Sequence, residues 1–221
     1  MTMRTYGQYC GVARALELVG ERWALLIVRD LILGPRRFTD LQRGLRTIPS
    51  NVLSSRLKEL EAGGVIERRA LPRPEGGVVY ELTEYGRQLE SVVVDLLIWG
   101  MKSLGEPSPN DSFSANSFLL GLRVAFRPAA AQDLEATYEI RLQDSVFTVR
   151  VANGRVELAD GPADDPDLTI VTDLGLGALL QGEITAEEAR KRKVVRLRGD
   201  RALFERFAEI FRLPAPTAHG S

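Results

Sequence analysis

The chain is poor in the residues that carry disulfide, metal and redox chemistry: it has one cysteine, Cys10, and one histidine, His219. A single cysteine excludes an intrachain disulfide and fits a reducing compartment. The lone histidine lies in the tail, no Cys/His metal spacing occurs, and neither a P-loop nor a GxGxxG stretch is present. No catalytic constellation follows from these residues, so neither an enzyme nor a cofactor is expected. No apolar run approaches the ~20 residues that span a bilayer, and the start MTMRTYGQYCG has no signal-peptide core, so a cytoplasmic protein without a membrane partner is expected.

What is present is the composition of a globular protein, 44% apolar and 27% charged over 221 residues, long enough for one large or two modest domains. The net charge of −1 conceals a division: residues 1–105 carry 15 basic and 12 acidic side chains, residues 106–221 carry 14 and 18. Between Gly34 and Arg73 nine basic residues face four acidic ones. A basic block in a neutral chain points to a polyanionic partner for that block. The stretch GEPSPNDS reads as a linker, giving domains at 1–104 and 113–213 around a linker at 105–112, with a mobile tail at 214–221.

In the first half, apolar spacing predicts helices over Val12–Val19 and Glu21–Leu33, a short helix over Asp40–Leu45 with Thr39 as N-cap, and a helix within PSNVLSSRLKELEAGG closed by Gly63-Gly64. Strands follow at Val65–Ala70 and Val78–Leu82 around a tip, LPRPEGG, and Thr83 opens a last helix over Glu84–Leu104. This order is that of a winged helix-turn-helix, whose second helix enters the DNA major groove.

On a helical wheel Leu53, Leu57 and Leu60 form a buried stripe opposite Asn51, Ser55 and Lys58, with Val52 and Ser54 flanking. Small polar residues either solvate such a helix or read bases. As readers, Asn51 suits adenine, Ser54 and Ser55 suit several base edges, and Val52 suits a thymine methyl, whereas Arg56 and Lys58 suit phosphates. Arg36, Arg37, Arg43 and Arg46 flank the short helix as further phosphate candidates, and Arg68, Arg69 and Arg73 lie on the wing, Arg73 nearest its tip.

The segments CGVARALELVGERWALLIVRDLILGPRRFTDLQRGL, VLSSRLKELEAGGVIERR and VVYELTEYGRQL resemble the HxlR family of bacterial transcription regulators, winged-helix proteins related in architecture to the MarR group. The resemblance implies a homodimer on double-stranded DNA, with Asn51 to Lys58 in the major groove and Arg73 on the wing. The helix entry departs from the family pattern: this chain has Ile48-Pro49-Ser50-Asn51 where Ile-Ser-Pro and a basic residue are usual. Leu89, Val92, Val93, Val94, Leu96, Leu97, Ile98, Trp99, Met101 and Leu104 wrap most of the last helix, so one intramolecular face cannot bury them all and a partner helix is implied, either that of a second protomer, which is preferred, or one of the C-terminal domain. Cys10 precedes the first helix. It is either a small buried hydrophobe or, as the resemblance implies for some members, a thiol that senses oxidants.

In the second half, helical spacing of Phe118, Leu119, Leu122 and Phe126 precedes strands at Thr137–Leu142, Val146–Ala152, Arg155–Ala159 and Leu168–Thr172, with turns at Gln143-Asp144 and Asn153-Gly154. Tyr138, Ile140, Leu142, Phe147, Val149, Val151, Val156 and Leu158 share one face. Helices are expected at Leu174–Gln181, Ala186–Arg192 and Asp200–Arg212, giving an α+β domain with helices on an antiparallel sheet. ARKRK ends the second of these, where cations complement the helix dipole. The run from Asp165 to Phe211 resembles sterol carrier protein-like domains. That resemblance implies an apolar cavity for a hydrophobic small molecule, with Phe147, Leu176, Leu179, Leu180, Phe204, Phe207 and Phe211 as candidate lining. The same residues equally suit a packed core. The expectation is a dimeric DNA-binding regulator, repressor or activator, with a ligand-sensing domain. The alternatives are a lipid carrier using the winged helix as an interaction module and a thiol switch through Cys10.

Overall fold

The computed structural model describes residues 5–74, 76–101, 103–104, 114–172 and 176–214. The expected linker at 105–112 and His219 lie outside these residues, as does the expected tail apart from Pro214. The described residues form two compact units, one made of those up to Leu97 together with Ser114 to Leu120, the other of those from Ile98 to Leu104 together with those from Gly121 on.

The first unit begins with α1 (Gly11–Val19), α2 (Ala24–Ile32), α3 (Phe38–Gly44) and α4 (Ser50–Ala62). Helix α2 starts later than the expected Glu21, because Trp23 takes a left-handed φ of 80° after a turn in which Ala24 N–H donates to Glu21 O. Arg22 lies over that indole, 5.1 Å from its centroid. Helix α3 also departs from expectation: its N-cap position is Arg37, whose backbone N–H donates to the Asp40 carboxylate at 3.2 Å, and Thr39 sits inside the first turn. In α4 the leucine stripe Leu53, Leu57 and Leu60 is buried as the wheel predicts.

The wing consists of β1 (Ile66–Ala70) and β2 (Val78–Leu82), antiparallel with Ile66 opposite Leu82 and Ala70 opposite Val78. Thr83 caps the next helix, its Oγ1 accepting from Gly86 N–H at 3.0 Å. Gly86 is required there, since a Cβ would lie 1.9 Å from Val65 O. The expected single helix from Glu84 to Leu104 is two, α5 (Glu84–Arg87) and α6 (Leu89–Met101). At the join the Gln88 N–H reaches back three residues to Tyr85 O at 3.2 Å, a tightened turn that ends α5.

Helix α7 (Ala115–Ala125) leads to a short 3-10 turn (Pro128–Ala131) and strands β3 (Ala136–Leu142), β4 (Ser145–Ala152), β5 (Arg155–Asp160) and β6 (Leu168–Thr172). Helices α8 (Leu176–Gln181) and α9 (Ala186–Lys191), strand β7 (Val195–Gly199) and helix α10 (Ala202–Ile210) follow. The first residues of the expected Leu174–Gln181 helix lie outside the described residues. The five strands lie in the order β5-β4-β3-β6-β7. The β4–β5 hairpin turns on Asn153 and Gly154, both at positive φ (51° and 68°) as a tight two-residue turn demands.

The sheet is mixed and not wholly antiparallel as expected: β3 and β6 run parallel. Strand β5 occupies the outer side of β4, so the chain must cross the hairpin to reach the free edge of β3, and it arrives running in β3's own direction. Asp167 fixes that arrival, its carboxylate accepting from Thr137 N–H at 2.7 Å while its own N–H donates to Thr137 O at 2.9 Å. Tyr138, Ile140, Leu142, Phe147, Val149 and Val151 are buried on one face, whereas Val156 and Leu158 on the edge strand stay half-buried. Phe204, Phe207, Ile210 and Phe211 of α10 and its C-cap are fully buried with them.

Candidate nucleic-acid interface and candidate ligand core

Helix α4 exposes one narrow polar face. Asn51, Lys58 and Ala62 are exposed and Ser55 is half-buried, and at 100° per residue these four fall within about 60° of one another on the cylinder. Val52 and Ser54 are half-buried beside them. Ser55 donates its hydroxyl to Glu59 Oε1 at 3.0 Å, which leaves its lone pairs to accept. The N-cap position is Pro49, whose side chain makes no hydrogen bond to the first turn. The α4 N-terminus therefore presents backbone N–H groups and the positive end of the helix dipole without an N-cap acceptor.

The arginines separate into two groups. Arg56 is held by Glu59 and by Glu21 at 3.5 Å, so it ties α4 to the turn before α2. Arg69 makes a paired contact with Glu81 across the wing at 2.7 and 3.1 Å, and Arg68 binds Glu61 at 3.0 Å. Arg36 exchanges backbone hydrogen bonds with Tyr80, adding a bridge at the edge of the wing, and donates through Nη2 to Asn116 Oδ1 at 3.3 Å within the same unit. The Arg37 guanidinium packs so closely on Gly77 that a Cβ there would meet Nη1 at 2.6 Å. Arg43, Arg46, Lys58 and Arg73 are exposed; of these Arg43 has a carboxylate nearby, Asp40 at 3.6 Å. Sequence spacing could not separate these groups, because the partners Glu21, Glu61 and Glu81 come from other elements.

On α6, Val92, Leu96 and Trp99 are 46%, 43% and 68% exposed, Leu89 and Leu97 are half-buried, and Val93 is buried within its own protomer. Tyr6, Tyr9 and Val12 at the N-terminal end are exposed apolar side chains that periodicity did not single out, and Leu16, paired with Val19 by apolar spacing, is also exposed whereas Val19 is buried. Cys10 is exposed just ahead of α1, and backbone N–H groups of Ala13 and Val12 hold its thiol below the ordinary range. This thiol is not a buried hydrophobe.

In the second unit the candidate lining residues Phe147, Leu176, Leu179, Leu180, Phe204, Phe207 and Phe211 are all buried. Phe207 is central: its ring lies 4.6 Å from Phe211, 6.5 Å from Phe204 and 5.3 Å, edge-on, from Tyr138. Tyr138 was legible as a core-face position. Its hydroxyl is the feature that alternation did not flag: it is buried and has no hydrogen-bond partner among the described residues. Burial, first of all, raises its pKa well above the usual tyrosine range. Among the described residues no group of three His, Cys, Asp or Glu side chains is arranged to hold a metal, and no helix is long and apolar enough to cross a membrane.

Residues 18–108 match the HxlR-like helix-turn-helix family and residues 122–212 match the SCP-2 sterol transfer family. An HTH-type transcriptional regulator of Mycobacterium tuberculosis is 47% identical over 96 residues, which are 43% of this chain and 60% of that protein, so the chain spans less than two thirds of that relative. The HTH-type transcriptional regulator YodB of Bacillus subtilis is 39% identical over 85 residues, 38% of this chain and 76% of YodB. The solved structure of reduced YodB from B. subtilis aligns at 35% identity over 46% of this chain and 99% of that one, with a TM-score of 0.39.

Proposed function

The chain belongs to the HxlR-like helix-turn-helix family and carries an SCP-2 domain after the helix-turn-helix, and from that premise we propose that it is a homodimeric, sequence-specific DNA-binding transcription regulator whose second domain takes up a hydrophobic small molecule. In this reading residues 1–104 bind DNA and dimerise and residues 113–213 hold the ligand. The observation that carries it is the α4 face: Asn51, Ser55 and Lys58 are turned away from the leucine stripe, next to a first turn that its N-cap residue, Pro49, leaves uncapped. A phosphate at that N-terminus fixes register, and Asn51 then reads a base edge in the major groove. Arg43, Arg46, Lys58 and Arg73 supply the phosphate contacts, because their side chains are exposed. Arg36, Arg56 and Arg69 support the scaffold through the partners described above.

Exposed Val92, Leu96 and Trp99 on α6 support dimerisation, since apolar side chains of this size on one helix are better buried against a second protomer. A two-fold protein matches half-sites about one helical turn of DNA apart. Ligand control requires the two operator-binding states to differ in ligand affinity. A second mode of control rests on Cys10, whose exposed and acidified thiol suits reaction with oxidants or electrophiles.

Fluorescence anisotropy of the full chain on duplex DNA from its own promoter region, over a range of salt concentrations, tests the reading. Specific binding that outlasts competitor DNA and weakens steeply with salt is expected. Sequence-independent binding at every salt concentration would instead favour a ligand carrier whose winged helix only docks to other molecules.

A further inference from the structure

The central strand of the second unit carries an anomaly. Tyr138 stands on β3 between Val149 of β4 and Leu168 of β6, fully buried, its ring edge-on to Phe207 and its hydroxyl without a hydrogen-bond partner among the described residues. A phenylalanine would fill the same space and make the same ring contact. The oxygen therefore adds no packing and costs stability, since a buried hydroxyl without a partner forfeits its hydrogen bond to water.

We propose that the Tyr138 hydroxyl is the polar anchor of the ligand site, donating a hydrogen bond to a neutral acceptor, a hydroxyl or carbonyl oxygen, on an otherwise apolar molecule. The proposal rests on the reading of this domain as a ligand holder and adds what the ligand must carry.

The phenol is a donor at neutral pH, as any tyrosine is, and burial raises its pKa further. The charged groups around it favour a neutral acceptor over an anion. The Asp167 carboxylate accepts from the N–H of the neighbouring Thr137 at 2.7 Å, and Asp200 donates its N–H to Asp167 O at 3.0 Å. Arg206 is already engaged by Asp133 at 2.7 Å, Glu209 at 3.0 Å and Ala130 O at 3.3 Å. An anionic head group would thus meet two carboxylates and a guanidinium already committed elsewhere, whereas a neutral oxygen meets one free donor in an aromatic wall of Phe204, Phe207 and Phe211.

The test compares wild type with Tyr138→Phe in the full chain, using three fluorescent probes: dehydroergosterol, whose single oxygen is a hydroxyl; diphenylhexatriene, which has no heteroatom; and cis-parinarate, which has a carboxylate. Tyr138→Phe is expected to weaken dehydroergosterol about tenfold, equivalent to about 1.4 kcal/mol, and to leave diphenylhexatriene unchanged. It is also expected to raise the thermal midpoint of the ligand-free protein, a combination that general damage to the fold cannot give. Equal dehydroergosterol affinity in both proteins, with diphenylhexatriene still bound, overturns the anchor and leaves the ligand-holding reading standing; the hydroxyl then meets only water or packing. A loss confined to parinarate overturns the neutral acceptor. Failure of wild type to bind any of the three overturns the ligand-holding reading and the anchor with it.

Discussion

The two units use their side chains in opposite ways. In the first, the residues proposed to act are those the fold does not use: Asn51 and Lys58 face away from the leucine stripe, and Arg43 and Arg73 are exposed, while Arg56 and Arg69 are consumed by Glu21, Glu59 and Glu81. In the second, the candidate residues are the core itself, Phe147, Phe204, Phe207 and Phe211, all fully buried. On the proposed reading, function and stability are therefore separable by substitution at the surface proposed to face DNA and entangled in the proposed ligand core, with Tyr138 the exception because only its oxygen is surplus to packing.

That contrast can be broken experimentally. The largest effect is expected at Phe207→Ala, which removes a ring touching Tyr138, Phe204 and Phe211. It should cost about 3–5 kcal/mol, read as a lower urea midpoint for loss of the sheet's circular dichroism. A loss below 1 kcal/mol would mean that the aromatic cluster is not a packed core. Next, Trp99→Ala should weaken self-association by about 2 kcal/mol if the exposed indole is a central interface anchor. Sedimentation velocity would show the dimer dissociating at higher concentration than wild type, and an unchanged profile would move the interface off α6.

At the DNA-facing surface the same logic predicts affinity changes without stability changes. Asn51→Ala should cost about 1–3 kcal/mol of discrimination at one base position per half-site and leave the thermal midpoint in place, because the side chain is exposed. Lys58→Ala and Arg73→Ala should weaken all sequences alike and each flatten the log–log salt dependence by about 0.9 per half-site contact. Arg56→Ala should do the reverse, lowering stability with little change in salt slope, since it is held by Glu59 and Glu21. The smallest effect concerns Cys10. With its pKa lowered, thiolate is present at lower pH than in an ordinary cysteine, so iodoacetamide labelling should reach half its maximal rate below the pH found for the same cysteine in the urea-unfolded chain. Labelling centred at or above that value would remove the basis for a thiol switch.

How much was legible follows from the range of the interactions involved. The leucine stripe of α4, the wing strands and the Asn153-Gly154 turn are local patterns of period 3.6, period 2 and positive φ, and the structure places them where the sequence puts them. The late start of α2 at Trp23, the break at Gln88 and the parallel pairing of β6 on β3 depend on what the chain meets elsewhere, and none has a periodic signature. The site divides likewise. Asn51 and Lys58 were legible because a wheel separates them from Leu53 and Leu57. Which arginines are exposed was not, because Arg69 finds Glu81 across the hairpin and Arg56 finds Glu21 in another element. Tyr138 alternates as the core face requires, but its missing hydrogen-bond partner is a property of the folded interior alone.

The central claim, that the α4 face reads DNA for a two-fold protein, is tested most directly by selecting sequences from a randomised duplex library with the full chain and with its Asn51→Ala variant. The account predicts that wild type enriches an inverted repeat with half-site centres about 10 base pairs apart, and that Asn51→Ala keeps the spacing while losing its preference at one position in each half. Enrichment of no sequence by wild type, or an identical motif from both proteins, would contradict it.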